Sequence, residues 1–170
     1  MSNVSVTELP LSTWVPGAHA AGPRPDDAWL RAIASASAAH ALVDVLLELG
    51  VRLFDRGQGF EAHEAWELAW REAKIDGRVD DERLLRALIK LAAAMVKVRQ
   101  QNVVGVRDHA RGAARVLEPV APASVLHVDV AAVRALCARV HDDADLLVAR
   151  AHDFAVGAPM FGRVPLLAAR

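Results

Sequence analysis

The stretch FEAHEAWELAWRE, residues 60 to 72, holds one histidine, four glutamates and two tryptophans in thirteen positions. Imidazole nitrogens and carboxylate oxygens are common donors to divalent metals, and His63 and Glu67 stand one helical turn apart, a spacing that can aim two donors at one ion. Zinc proteases use His-Glu-x-x-His in this way; here the string is His63-Glu64-x-x-Glu67, with glutamate where the second histidine would stand. His63 and Glu67 are therefore candidate metal ligands with Glu64 assisting, and a further ligand would come from another helix. On this reading the chain is a divalent-metal-binding protein or a metal-dependent hydrolase.

The same residues support a structural reading. On a helical wheel Trp66, Trp70, His63, Glu67 and Phe60 fall in order along an arc of roughly 120°, the width of a core-facing stripe, whereas Glu61, Glu64 and Glu72 point outward or to the flank. Ionisable groups among aromatics lose water and must recover the loss through partners. Arg99, within the apolar arc of a later helix, is placed to give Glu67 a forked hydrogen bond. His63, Glu64, Glu67, Arg99, Trp66 and Trp70 would then form a buried polar network that fixes helix register. The chain would be a non-enzymatic module that binds a partner or self-associates as a homo-oligomer, without a cofactor. This is the leading expectation.

The elements that must position these groups are helices. Residues 1–25 contain Pro10, Pro16, Pro23, Pro25, Gly17 and Gly22 without periodicity and read as a flexible or loosely draped arm. From Asp26 to Gly57 the pattern is one long helix, or two with a break near Ser35 to Ser37. Further helices are expected over 58–74, 81–101, 103–117 and 128–154, separated by the KIDGRVDD turn and by Pro119 and Pro122, with 157–170 as a tail. No strand pattern and no fixed repeat is visible. The fold expected is all-α: a single antiparallel bundle of about five helices spanning 26–156.

Bulk properties agree. At 170 residues, 54% hydrophobic and 24% charged, the chain has the composition of one globular domain. The net charge of −1 draws it toward neither nucleic acid nor an anionic membrane, and no apolar run approaches the ~20 residues of a membrane span. One basic stripe, Arg83, Arg86, Lys90, Lys97 and Gln101, reads as a solvated face, with a contact for an acidic ligand or nucleic acid as the sharper alternative, the nucleic-acid case being weakened by the lack of interleaved aromatics. Cys137 alone cannot form an internal disulfide, which fits a reducing cytoplasm, and among Leu136, Ala138 and Val140 it reads as a small core residue. The doublets His141-Asp142 and His152-Asp153 occur in metal-dependent phosphohydrolases, but only 28 residues follow Asp142 and the later aspartate such enzymes need is missing; a solvated helix with a His141–Asp145 pair is the simpler reading.

Two segments, LFDRGQGFEAHEAWELAW and LLRALIKLAAAMVKVRQQNVVGVRDHA, resemble the family catalogued as domain of unknown function 309, small all-helical prokaryotic proteins, over about residues 48–118. Phe60, Glu61, Ala62, His63, Glu64, Trp66, Glu67 and Trp70 agree with that family's signature. Its pattern then has a Leu-Ile-Gln run, a histidine about two turns later and an Asn-x-x-Gly-Ala turn. Here Lys90 follows Leu88 and Ile89, Lys97 stands at the histidine position, and Val106 replaces alanine after the matching Asn102 and Gly105. The resemblance implies a helical bundle and no particular activity.

Overall fold

The computed structural model describes residues 13–16, 41–154 and 157–165. Six helices follow one another among the described residues: α1 (Leu42–Asp55), α2 (Gly59–Ile75), α3 (Val79–Arg99), α4 (Val103–Leu117), α5 (Val130–Asp142) and the short α6 (Ala144–Ala149). A 3-10 turn, Ala151–Asp153, ends the run. The fold is an all-α helical bundle in which α1 packs on α2, α2 on α3, α3 on α4 and α4 on α5. The expected helices at 58–74, 81–101 and 103–117 are present to within two residues. The first expected helix is described only as α1, its earlier part lying outside the described residues. The last is broken at Asp143 into α5, α6 and the 3-10 turn, and a two-residue ladder pairs Ser124 with Asp129 and Val125 with Val128.

Local chemistry explains the boundaries. Gly77 takes φ 69°, a left-handed conformation open to glycine at little cost, and closes the α2–α3 turn. The Asn102 side chain accepts from the Gly105 amide at 2.8 Å and starts α4, and Asp129 does the same for Ala132 at 3.0 Å at the head of α5. α3 carries Asp80, Asp81 and Glu82 in its first turn and Lys97 and Arg99 in its last, each sign against the opposing end of the helix dipole.

The core is built on α3, whose Leu84, Leu85, Leu88, Leu91, Ala92, Met95 and Val98 are fully buried. From α2 it receives Ala62, Ala65, Trp66, Ala69 and Ala73, also fully buried. Trp66 fixes the distance to α1: its indole N–H donates to the Leu47 carbonyl at 3.2 Å and its ring lies 5.5 Å from that of Phe54. Met160, Phe161 and Val164, from the stretch expected as a tail, are buried against this core, with Phe161 6.0 Å from Phe54.

Gly50 is the point of closest approach between α1 and α2, because a Cβ there would lie 2.2 Å from the indole nitrogen of Trp66. In an ordinary helix interior Gly→Ala gains about 0.5–1 kcal/mol. Gly50→Ala is expected to reverse that sign and cost about 1–3 kcal/mol by overpacking. Urea unfolding of the two proteins measures it, and a more stable alanine variant would show that the α1–α2 contact yields.

Candidate functional site

The buried stripe of α2 differs from the one its aromatics suggest. Gly59, Glu61, Ala62, Ala65, Trp66, Ala69 and Ala73 are buried, while Phe60, His63, Glu64, Glu67 and Trp70 are half-exposed. The buried arc is thus rotated by roughly 120° from the aromatic arc, with Trp66 at their common edge. Four alanines carry the stripe because their small side chains let α2 approach α1 and α3 closely. Two expectations are corrected here: His63 and Glu67 flank the core instead of lying in the middle of it, and Glu61, expected to point outward, is only 4% exposed.

On the half-exposed flank His63, Glu64 and Glu67 converge. Each offers one donor atom within 4.8 Å of the others. His63 Nδ1 stands 3.2 Å from Glu64 Oε1 and 3.9 Å from Glu67 Oε2, with side-chain exposures of 31%, 14% and 32% for the three residues. Two donors each about 2.1 Å from one ion lie at most about 4.2 Å apart, so both measured separations fit a shared ion. The other oxygen of Glu67, Oε1, accepts from Arg71 at 2.7 Å. That ion pair turns Oε2 toward His63 and holds it there. Trp70, one turn beyond Trp66, donates its indole N–H to Glu82 at 3.3 Å and lies under the Lys74 ammonium.

Arg99 does not reach Glu67. Its Nη2 donates to the Gly57 carbonyl at 3.3 Å, and its charge acts on Glu61. Glu67 has Arg71 on its own helix, which leaves it no need of a distant cation. Glu61 in turn anchors the N-terminal segment: Thr13 Oγ1 donates to Oε2 at 2.7 Å and the Trp14 amide to Oε1 at 2.9 Å. Trp14 meets Phe60 edge to face at 4.6 Å, Val15 is buried, and Gln100 donates to the Pro16 carbonyl at 2.6 Å. Sequence reasoning missed this clasp, since its partners lie more than 45 positions apart and no local spacing links them.

The basic stripe of α3 divides in two. Arg83 and Arg86 stand beside Asp80 and Glu82 at 3.3 and 3.8 Å. Lys90 and Lys97 instead run half-buried beneath α4 and do not belong to a freely solvated face: a Cβ at Gly112 would meet the Lys90 ammonium at 3.4 Å, and one at Gly105 the Lys97 stem at 2.8 Å. His109 is half-buried on α4, and burial lowers its pKa, helped by the charges of Lys90 and Lys97 and by His63. α3 packs on both α2 and α4, and the charge of His63 is the smallest of the influences on His109.

The histidine-aspartate doublets form no centre of this kind. Asp145 ion-pairs with Arg107, and His141 sits 3.1 Å from Asp142 on an exposed surface, so the expected His141–Asp145 pair is not the one made. Cys137 is buried, and burial pushes its thiol up to about 12, so no thiolate is present near neutrality.

Residues 47–108 match the family model described as a domain of unknown function, DUF309. The matched segment runs from within α1 through the first half of α4 and is similar to that family; it contains the α2 cluster together with Lys90 and Lys97. No curated protein and no solved structure matches the chain. Among the described residues no helix is long and apolar enough to cross a membrane.

Burial raises the Glu61 carboxyl above the usual carboxylate range, against the opposing pull of the Thr13 and Trp14 hydrogen bonds and of Arg99. A group whose pKa is higher folded than unfolded stabilises the fold fully below its unfolded pKa and loses that contribution as pH rises through the folded value. Glu61→Gln does not ionise. Thermal melts from about pH 4 to about pH 7 are expected to show the parent losing stability relative to this variant as pH rises. Parallel curves would show that Glu61 is not held in a desolvated state.

Proposed function

We propose that this protein is a helical binding module whose α2 flank holds a divalent cation through His63, Glu64 and Glu67. The observation that carries the reading is the convergence of three donor atoms within 4.8 Å on a surface that keeps about a third of the His63 and Glu67 side chains in water. A buried register-fixing pair has no use for that exposure, whereas a metal site does, because the ion must enter and its remaining positions must be filled by water or by a ligand. Arg71 supports the reading as the residue that orients a ligating carboxylate, the part outer partners play at metal sites.

The charge balance favours a cation as well. Glu64 and Glu67 place two carboxylates on one short stretch of helix, and Arg71 pairs with the outer oxygen of Glu67. A dication between them offsets the mutual repulsion of two neighbouring carboxylates, and a neutral imidazole supplies a nitrogen donor without adding charge. The reading is one of binding, and no catalytic step is attached to it. Self-association and the other partners considered from the sequence have no comparable geometric support.

Equilibrium dialysis against manganese or zinc, followed by elemental analysis, tests it. About one ion per chain is expected, with His63→Ala weakening binding at least tenfold and Arg71→Ala weakening it less, in line with the usual effect of outer partners. Saturating metal at about a hundred times Kd should add about 2.7 kcal/mol to the stability of the parent. Because His63 is partly exposed, its alanine variant without metal should stay within about 0.5 kcal/mol of the parent. A metal-free parent, together with a markedly destabilised His63→Ala protein, would return this cluster to a purely structural role.

A further inference from the structure

Two lysines seven residues apart on α3 lie on one face of that helix, since seven residues bring the chain round to within roughly 20° of its start. Gly105, His109 and Gly112 lie on one face of α4 within roughly 60° of one another by the same geometry. The two faces meet: Lys97 crosses α4 at Gly105 and Lys90 crosses it at Gly112. His109 lies between the two crossings, one turn from each glycine. The absence of side chains at both glycines leaves room for the lysines: the Lys90 ammonium lies against α4 at Gly112, the Lys97 stem crosses at Gly105 with its ammonium on Gln100, and both charges act on His109. All three residues are half-buried.

Neither lysine has a carboxylate partner among the ion pairs of the described residues, in contrast to Arg83 and Arg86 on the same helix. Lys97 donates one of its three N–H bonds to Gln100 Oε1 at 2.8 Å and keeps two for another acceptor. His109, neutral under the influence of burial and of the two cations, still offers one N–H. Asp108, the acid whose charge acts on His109, is itself exposed and paired with Arg111 at 3.5 Å, so the half-buried row of two ammoniums and an imidazole donor keeps a net positive charge.

We propose that the row Lys97–His109–Lys90, along the seam of α3 and α4, binds a small molecule bearing a diphosphate group. The roots of the two lysines are separated by about 10 Å along α3. That span suits an extended polyanion that touches both ammoniums and His109 better than a single phosphate. The proposal does not rest on a metal at the α2 cluster and is tested without one.

The experiment is titration calorimetry of the full chain, freed of divalent ions by chelation, with inorganic pyrophosphate and with inorganic phosphate as the shorter comparison. Pyrophosphate is expected to bind at one site and at least tenfold more tightly than phosphate. Lys90→Gln with Lys97→Gln should weaken it at least tenfold, and His109→Ala by about threefold. Arg83→Gln with Arg86→Gln, which removes the same net charge from the paired half of the stripe, should leave it unchanged. Circular dichroism melts of each variant without ligand establish that it is folded. Independently of any substitution, pyrophosphate should protect Lys90 and Lys97 of the parent, but not exposed Lys74, from an amine-acylating reagent read by mass spectrometry. Absence of pyrophosphate binding, equal binding of phosphate, equal loss in the arginine variant, or acylation of Lys90 and Lys97 at an unchanged rate would each overturn the proposal.

Discussion

The rest of the structure depends on the burial of one large residue against the smallest one. Trp66 is fully enclosed, with its ring over Gly50 and its N–H on the carbonyl of Leu47. An indole brings a large apolar area out of water, but its N–H must find an acceptor when buried. A main-chain carbonyl of α1 meets that need only because Gly50 lets the ring lie against the helix. This contact sets the rotation of α2 about its axis. Once Trp66 and the alanines at 62, 65, 69 and 73 face inward, His63 and Glu67 are carried to the flank, where water and ligands have access to them.

α3 works as the shared wall. Its leucines close the core on one side, while Lys90 and Lys97 extend under α4 on another. The acidic cluster on α2 and His109 of the basic row on α4 thus lie on two helices that both pack on α3.

The fold was legible in the sequence because it depends on long periodic segments with glycine and acid boundaries. The limits of α2, α3 and α4 follow from Gly77, Asn102 and the apolar repeat, and the family signature fell on the same segment that the family model matches. The orientation of α2 was harder to read. Alanine is a weak hydrophobic signal beside tryptophan, so the wheel centred on the aromatics instead of on the small residues that allow close packing. The spacing of Gly105, His109 and Gly112 against Lys90 and Lys97 was present in the sequence, but it acquires meaning only when α4 is known to lie over α3.

By itself, the sequence determined that the chain is helical, where most of the central helices begin and end, and that donors for a metal stand one turn apart at His63 and Glu67. These follow from local backbone propensity and from spacing along one helix, which need no distant contact. The tertiary structure alone decided which carboxylate is buried and which is offered to solvent. Glu61 is buried because Thr13, Trp14 and Arg99 reach it from remote parts of the chain. Glu67 stays at the surface because α2 is rotated by its contact with Gly50. Both outcomes depend on packing between segments far apart in the chain, where a difference of one methyl group at the contact decides how closely two helices approach.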